Sequence, residues 1–447
     1  MKKFIETIRN IFKIEELKSR LAITFLLVLV YRFGSFIALP GIDTTQLSEL
    51  SKQTSGGLMM LLDMFSGGAF SNASIFALGI MPYISASIVV QLLGMAFPYF
   101  QKLQREGESG RQRMNQITRY LTILILLIQG PAYLVNLRMQ VGSVVPEGAF
   151  FVITSVLILA AGSMFVLWLG ERITEKGVGN GISFIILVGI IARLPRAVVG
   201  EFSSRLHEAA GGLVLFLAEI VFLLVVIGFS VLLVQGTRKV PVQYAKRVVG
   251  NQQYGGVRQY IPLKVNAANV MPIIFAQAIM FIPASLSGLF ASDGEVSNFA
   301  MTFMNNNSFW YNLVFFLLII AFTYFYTAVT VNPTQMAEEM KRNNGFIPGI
   351  KPGKKTAEYL DTIMSRITLP GSIFLGIVAI LPAFAGSEWL GVSASFAQFF
   401  GGTSLLIMVG VVLDTLQQIE SYLLMRHYDG LMKGGKIKGR SGSIAAY

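Results

Sequence analysis

Cysteine is absent from the 447 residues, histidine occurs only at His207 and His427, and just 13% of the residues are charged. Without cysteine, neither a disulfide framework nor a thiolate metal site can form. No histidine falls in an apolar span, no phosphate loop of the Walker type occurs, and Ser85, Ser87 and Ser404 have no basic partner in view. The nucleophile, base or metal that an enzyme needs is therefore missing. The glycine-rich GVGNG of Gly177 to Gly181 follows no strand and leads into an apolar run, so it reads as a tight turn rather than a phosphate site. Acidic groups that carry ions through pumps are equally scarce. Glu219 and Asp414 are the candidates, with Arg32 placed to snorkel outward. A small-solute carrier built on those acids is the alternative reading, and structural pairing of the same charges is the plainer one.

What the chain has in abundance is grease: 53% apolar residues and a mean hydropathy of +0.62. Runs long enough to cross about 30 Å of hydrocarbon are predicted at 21–39, 75–93, 117–136, 150–169 and 182–199, with five more beginning near Leu213, Val270, Phe309, Ile367 and Phe399. Alternate loops and the two termini hold 30 of the 36 lysines and arginines. Cytoplasmic loops retain such residues, so both termini are expected in the cytoplasm. That rule accounts for most of the net charge of +12, and anionic lipid or nucleic acid remain partners that such an excess would attract. FIETIRNIFKIEEL near the N-terminus mixes apolar residues at helical spacing with charge, as an interfacial helix does, and shows no cleavable signal.

Ten spans divide into five and five, 1–205 and 206–447. An odd-numbered repeat that is duplicated must be inverted, which places a pathway between the halves. The expected fold is therefore an all-α polytopic membrane protein with ten transmembrane helices in two inverted halves around a central pore. Two cytoplasmic loops exceed what a connection needs. Loop 235–269 carries six basic and no acidic residues, and its KVPVQYAKRVV and VRQYIPLKV predict a protruding hairpin. Loop 332–366 has six basic and four acidic residues and reads as a helix PTQMAEEMKRN, a turn NNGFIPGIKPG, and a helix from Thr356. Basic protruding loops suit RNA phosphates or acidic protein patches.

One stretch, MFSGGAFSNAS from Met64 to Ser74, is too short and glycine-rich to cross a bilayer. It is followed by further distinctive segments: SIFALGIMPYISASIVVQLL to Leu93, EGESGRQR from Glu106, ITEKGVGNGIS from Ile173, YAKR from Tyr244, IPLKVN from Ile261, FYTAVTVNP from Phe325, GFIPGIKPG from Gly345 and FGGTSLLI from Phe400. In this order they resemble the SecY family, the channel subunits of the bacterial protein-conducting translocase, along nearly the whole chain. The resemblance implies a non-catalytic, cofactor-free channel in the plasma membrane. It would pass unfolded secretory chains and release signal sequences and apolar segments laterally into lipid. SecE-like and SecG-like small subunits would flank it, and a SecA-like motor ATPase or the translating ribosome would drive it.

Matched position by position, the resemblance implies a constriction lined by Ile80, Ile84, Ile186, Ile190, Ile274 and Ile407. A narrow apolar neck dewets and blocks ions. It also implies a plug at about 62–73, a short half-helix in which Met64, Phe65, Ser66, Gly67, Gly68, Ala69 and Phe70 rest on that girdle, with Ser71, Asn72 and Ser74 capping the following span. Glycines weaken a helix by about 1 kcal/mol each against alanine, which suits a stopper that must leave. A lateral gate would run past Ser87, Gln91, Gln129 and Gln277, and partners would dock on Lys246, Arg247, Arg258, Lys264, Lys351, Lys354 and Lys355. Many family members carry arginine where this chain has Lys351, whose ammonium keeps the charge but loses the bidentate fork.

Overall fold

The structure, a computed structural model, describes residues 14–42, 63, 65–141, 146, 148–207, 212–244, 247–249, 252–254, 258–268, 270–287, 308–386 and 391–433. The segment proposed as an interfacial helix lies almost wholly outside them. Among the described residues ten longer helices carry the fold: α1 (Glu15–Gly34), α2 (Met81–Ala96), α4 (Glu108–Val141), α5 (Ala149–Lys176), α6 (Gly181–His207), α7 (Gly212–Gln235), α8 (Met271–Ser287), α9 (Phe309–Thr330), α11 (Lys354–Ala385) and α13 (Gly402–Lys433). Short helices α3 (Pro98–Arg105), α10 (Pro333–Arg342) and α12 (Ala394–Ala397) join them. Helices are forced by the solvent, because hydrocarbon offers no partner to an unpaired N–H or C=O.

Among the described residues seven helices are long and apolar enough to cross a membrane by themselves, and α2 with α3, bent by 103° at their junction, makes an eighth candidate. Helix α8, at 17 residues, is short for that measure, and α1 carries charge at both ends. Both still pack into the bundle, α1 against α5 and α8 against α9. Outward faces are greasy: Phe25 and Phe33 of α1, and Val214, Val221, Leu224 and Leu232 of α7, are exposed. Such faces belong against lipid tails.

The spans differ from the sequence expectation at their ends. The third extends further at its N-terminal end and the fourth at its C-terminal end, and the fifth runs on through Pro195 to His207. The helix expected from Thr356 and the span expected near Ile367 are one helix, α11. The second differs most. Residues 66–80 form successive turns, and α2 starts only at Met81, with Ile80 as its N-cap. Gly79 at φ +51 interrupts any helix coming from upstream, and Pro82 in the first turn is pre-set to begin one. Ser71, Asn72 and Ser74 therefore cap nothing. Ser74 bridges to Ala38, and its Oγ accepts the Phe76 N–H at 3.2 Å.

Each half has its own apolar core. In the first half, Leu39, Phe70, Tyr133, Leu134 and Leu159 form one cluster, while Tyr31, Phe76, Ile80, Val166 and Ile185 form another. In the second, Ile273, Phe315, Ile319, Leu375 and Leu405 interlock α8, α9, α11 and α13. A third kind of cluster joins the halves at the centre and is described with the site.

On one side of the bundle stands the predicted hairpin. Strand β1 (Thr237–Tyr244) pairs antiparallel with β4 (Arg258–Lys264), and β2 (Arg247–Val249) pairs antiparallel with β3 (Gln252–Tyr254) in a separate two-stranded sheet. The short β5 (Gly345–Phe346) adds to the free edge of β1. Val240, Val242 and Leu263 of the sheet bury against Met340 of α10, Ile347, and Leu360 and Met364 of α11, fastening both long loops into one unit.

Candidate functional site

At the centre, Ile186 and Ile190 of α6 and Ile407 of α13 are buried together with Phe396, Phe399 and Phe400, and Ile84 of α2 and Phe65 pack against them. Helical spacing explains the α6 pair, since residues four apart share a face. Ile80 lies in the adjoining cluster with Tyr31, Ala69 and Val166, where Ile84 also touches. Four of the six expected isoleucines thus share one cluster drawn from both halves, and Ile80 sits beside it. Ile274 is half-buried on α8 and belongs to none of the described apolar clusters, whereas its neighbour Ile273 is fully buried in the second-half core.

Asp63 and Phe65 are helical, and residues 66–73 close over this cluster in successive turns. Gly67 and Gly68 adopt φ +66 and +92, the left-handed region in which a side chain is strained. Gly67 also lies so close to α6 that a Cβ there would stand 2.8 Å from Gly189 Cα. Met64 lies outside the described residues. Ser66, Ala69 and Phe70 are buried, and the Phe70 ring meets Tyr133 edge to face at 4.8 Å.

The wall holds the segment by its carbonyls. Tyr31 Oη donates to Ser66 O at 3.0 Å, Arg32 Nη1 to Gly67 O at 2.8 Å, and Tyr133 Oη to Phe70 O at 2.9 Å. Arg32 therefore does not snorkel: it turns inward to the segment. Arg193 of α6 forms an ion pair with Asp63, which also accepts from Ser71. Sequence reasoning passed over Tyr31, Asp63, Tyr133 and Arg193. The signal available was the charge itself, because ionisable residues among apolar spans face the interior and pair.

Of the expected gate residues, Gln91 Nε2 donates to Ser87 Oγ at 3.3 Å within α2, and Gln277 Nε2 to Thr403 Oγ1 at 3.3 Å between α8 and α13. Gln129 is half-buried on α4. Each of those bonds stays within one half, so none of them ties α2 to α8.

The two candidate carrier acids differ in their surroundings, one buried and one at the surface. Glu219 is paired with Arg205, and Asp414 is exposed. The GVGNG turn is a turn: its N–H groups are taken by Thr24 at Val178, Gln418 at Gly179 and Thr174 at Gly181. Among the described residues no cluster of acids and histidines could hold a metal.

On the hairpin side, Lys264, Lys351, Lys354 and Lys355 are exposed. Lys246 lies outside the described residues, as do the side chains of Arg247 and Arg258. Lys354 and Lys355 open α11 with no acidic residue in its first turn, against the preference of a helix N-terminus for anions.

A family model described as SecY matches residues 74–416. The protein translocase subunits SecY of Mycobacterium bovis and Haemophilus influenzae are 42% and 43% identical to the chain, over 96% and 95% of it and 99% and 96% of their own lengths. That of Halalkalibacterium halodurans is 44% identical over 96% of this chain and 99% of its own. Among solved structures, one described as a protein conducting channel superimposes with a TM-score of 0.59 at 17% identity, covering 94% of this chain and 95% of that one. Sec61 from a canine ribosome–channel complex does so at 0.55 and 16% identity, with the same coverage. The structural likenesses establish the fold, and the full-length sequence matches carry the kinship: the chain belongs to the SecY family.

Proposed function

We propose that this chain is the pore-forming subunit of a bacterial protein translocase in the plasma membrane, passing unfolded secretory chains across and releasing signal sequences and transmembrane segments sideways. The observation that carries this reading is the seating of Phe65 on the cluster of Ile84, Ile186, Ile190 and Ile407 drawn from both halves of the bundle. An apolar neck has no fixed charge to attract ions and no preference among the side chains of a passing polypeptide, and it stays dry when narrow. The segment from Phe65 to Phe70 acts as its plug. A solved structure that superimposes with a TM-score of 0.60 at 17% identity is described as that of a SecY protein whose plug domain stabilises the closed state and maintains a membrane seal. Function as a channel rather than an enzyme agrees with the names of the relatives.

Lateral release is favoured by the placement of Ser87, Gln91 and Gln277, whose bonds leave the seam between the halves without a polar clasp of their own. The driving force comes from outside. The basic hairpin and the lysines heading α11 form a surface for a SecA-like motor or for ribosomal RNA phosphates, and the greasy outer helices accept SecE-like and SecG-like subunits and anionic lipid. Because the termini and alternate loops hold 30 of the 36 basic residues, this reading orients both termini to the cytoplasm.

The test is reconstitution: the chain, purified with its natural partners into vesicles, imports a signal-bearing precursor when motor and ATP are supplied. Absence of import, together with saturable uptake of a small solute by the chain alone, would overturn the reading in favour of a carrier.

A further inference from the structure

Asp63 is buried to 2% exposure, and Ser71 to 4%. The carboxylate accepts the Ser71 N–H at 2.9 Å through Oδ1 and the Ser71 hydroxyl at 3.0 Å through Oδ2, while Arg193 pairs with Oδ2 and also donates to Ser71 Oγ at 3.3 Å. Among the described residues this is the one ion pair between the plug region and the wall. The other wall contacts, from Tyr31, Arg32 and Tyr133, go to plug carbonyls.

Arg193 follows Ile190 by three residues and Ile186 by seven on the same helix. That spacing puts guanidinium and isoleucines along one face of α6. Two residues further on is Pro195, which lacks the N–H that would bond the Ile191 carbonyl. The break in the ladder thus lies at Pro195, which lets the stretch from Ile186 to Arg193 shift relative to the part of α6 that follows it.

We infer that Arg193, Asp63 and Ser71 form a latch that couples widening of the neck to release of the plug. The inference rests on the plug reading above and names what holds the plug shut. A polypeptide that pushes Ile186 and Ile190 outward carries Arg193 with them. Hydrogen bonds of 2.9–3.3 Å tolerate little displacement. Once Arg193 leaves, Asp63 is a buried charge without its cation, an expensive state, so the carboxylate leaves for water and takes the plug with it. Plug and neck then open as one event. Arg193 is a positioning residue: it acts on the seal through Asp63.

The experiment is single-channel conductance of the intact complex in a planar bilayer. Asp63→Asn and Arg193→Gln are each expected to raise the open probability about tenfold, a shift of about 1.4 kcal/mol. The double variant is expected to be no worse than either single, whereas Arg193→Lys, which keeps the charge, stays close to the parent. Multiplying effects in the double variant would overturn the latch, since they mean that the two side chains act separately. A further arm is Gly67→Val, which forces the plug off Gly189 without touching the latch. If it opens the channel while Asp63→Asn and Arg193→Gln leave it closed, the latch is wrong and the plug stands. If all three are silent, the plug reading itself fails.

Discussion

Arg205, near the end of α6, donates through Nη2 to Glu219 Oε1 of α7 at 2.7 Å, and through Nε to Glu201 at 3.0 Å. The guanidinium also reaches Gly391 O at 2.8 Å, and Glu201 accepts the Ser393 N–H at 3.0 Å. The junction between the first and second halves of the chain is thus clamped to the segment entering α13 by a buried charge network. Removing one member of a buried pair costs about 3–5 kcal/mol, because the remaining charge loses its partner. Arg205→Ala leaves two carboxylates behind and is expected to lower the unfolding temperature of the purified complex sharply. Glu219→Gln keeps the shape and retains a hydrogen-bond acceptor, and it is expected to translocate precursor normally per folded molecule. A carrier using Glu219 for ion coupling would lose all activity in that variant.

The neck makes a separable prediction. A polar group within a dry constriction gives water a foothold. Ile84→Ser and Ile190→Asn are expected to leak ions in planar bilayers, and Ile190 is the stronger test because it is completely buried. Ile274→Asn, on a residue outside the central cluster, is expected to leak far less. Equal leakage from all three would mean that the cluster is not the constriction.

Much of this was legible beforehand, for physical reasons. Span positions follow from transfer energy, which sums over some twenty residues and tolerates local error. The hairpin followed from alternation flanked by turn residues, as in KVPVQY and VRQYIPL. The isoleucine positions came from a family resemblance, and Ile84, Ile186, Ile190 and Ile407 share one cluster while Ile80 lies in the adjoining one and Ile274 in neither. What stayed hidden depends on three-dimensional proximity. Nothing in sequence spacing links Asp63 to Arg193, or Tyr133 to Phe70, because each pair is brought together only when separate helices pack. The start of α2 was misplaced because Ile75 to Ile80 is as apolar as a helix, and hydropathy does not register the left-handed Gly79 that stops one.

Gly189 tests the fit of the plug from the other side. A Cβ there would lie 3.1 Å from Phe65 O and 3.2 Å from Gly67 N, tighter than an ordinary contact. Gly189→Ala is expected to favour α6 intrinsically by about 1 kcal/mol while pushing the plug outward. The combination should give a complex at least as stable to heat as the parent yet with a higher resting conductance. A variant that is equally stable and equally tight would show that the plug backbone does not rest on Gly189.

The seam between the halves is expected to be sensitive to polarity in one direction only. Hydrogen bonds between membrane helices contribute about 0.6 kcal/mol on average, and those of Gln91 and Gln277 are spent within their own halves. Replacing either glutamine by leucine therefore leaves the seam as loosely held as before, but it adds apolar surface along the path of an emerging signal sequence. Burial of such surface is worth roughly 25 cal/mol per Å², enough to favour the open, signal-bound arrangement. Precursors with weakened signal sequences should be exported better by Gln91→Leu and Gln277→Leu than by the parent, as measured by the processed fraction in cells. If export of those precursors falls instead, the two glutamines contact the signal directly, and the lateral path must be sought between other helices.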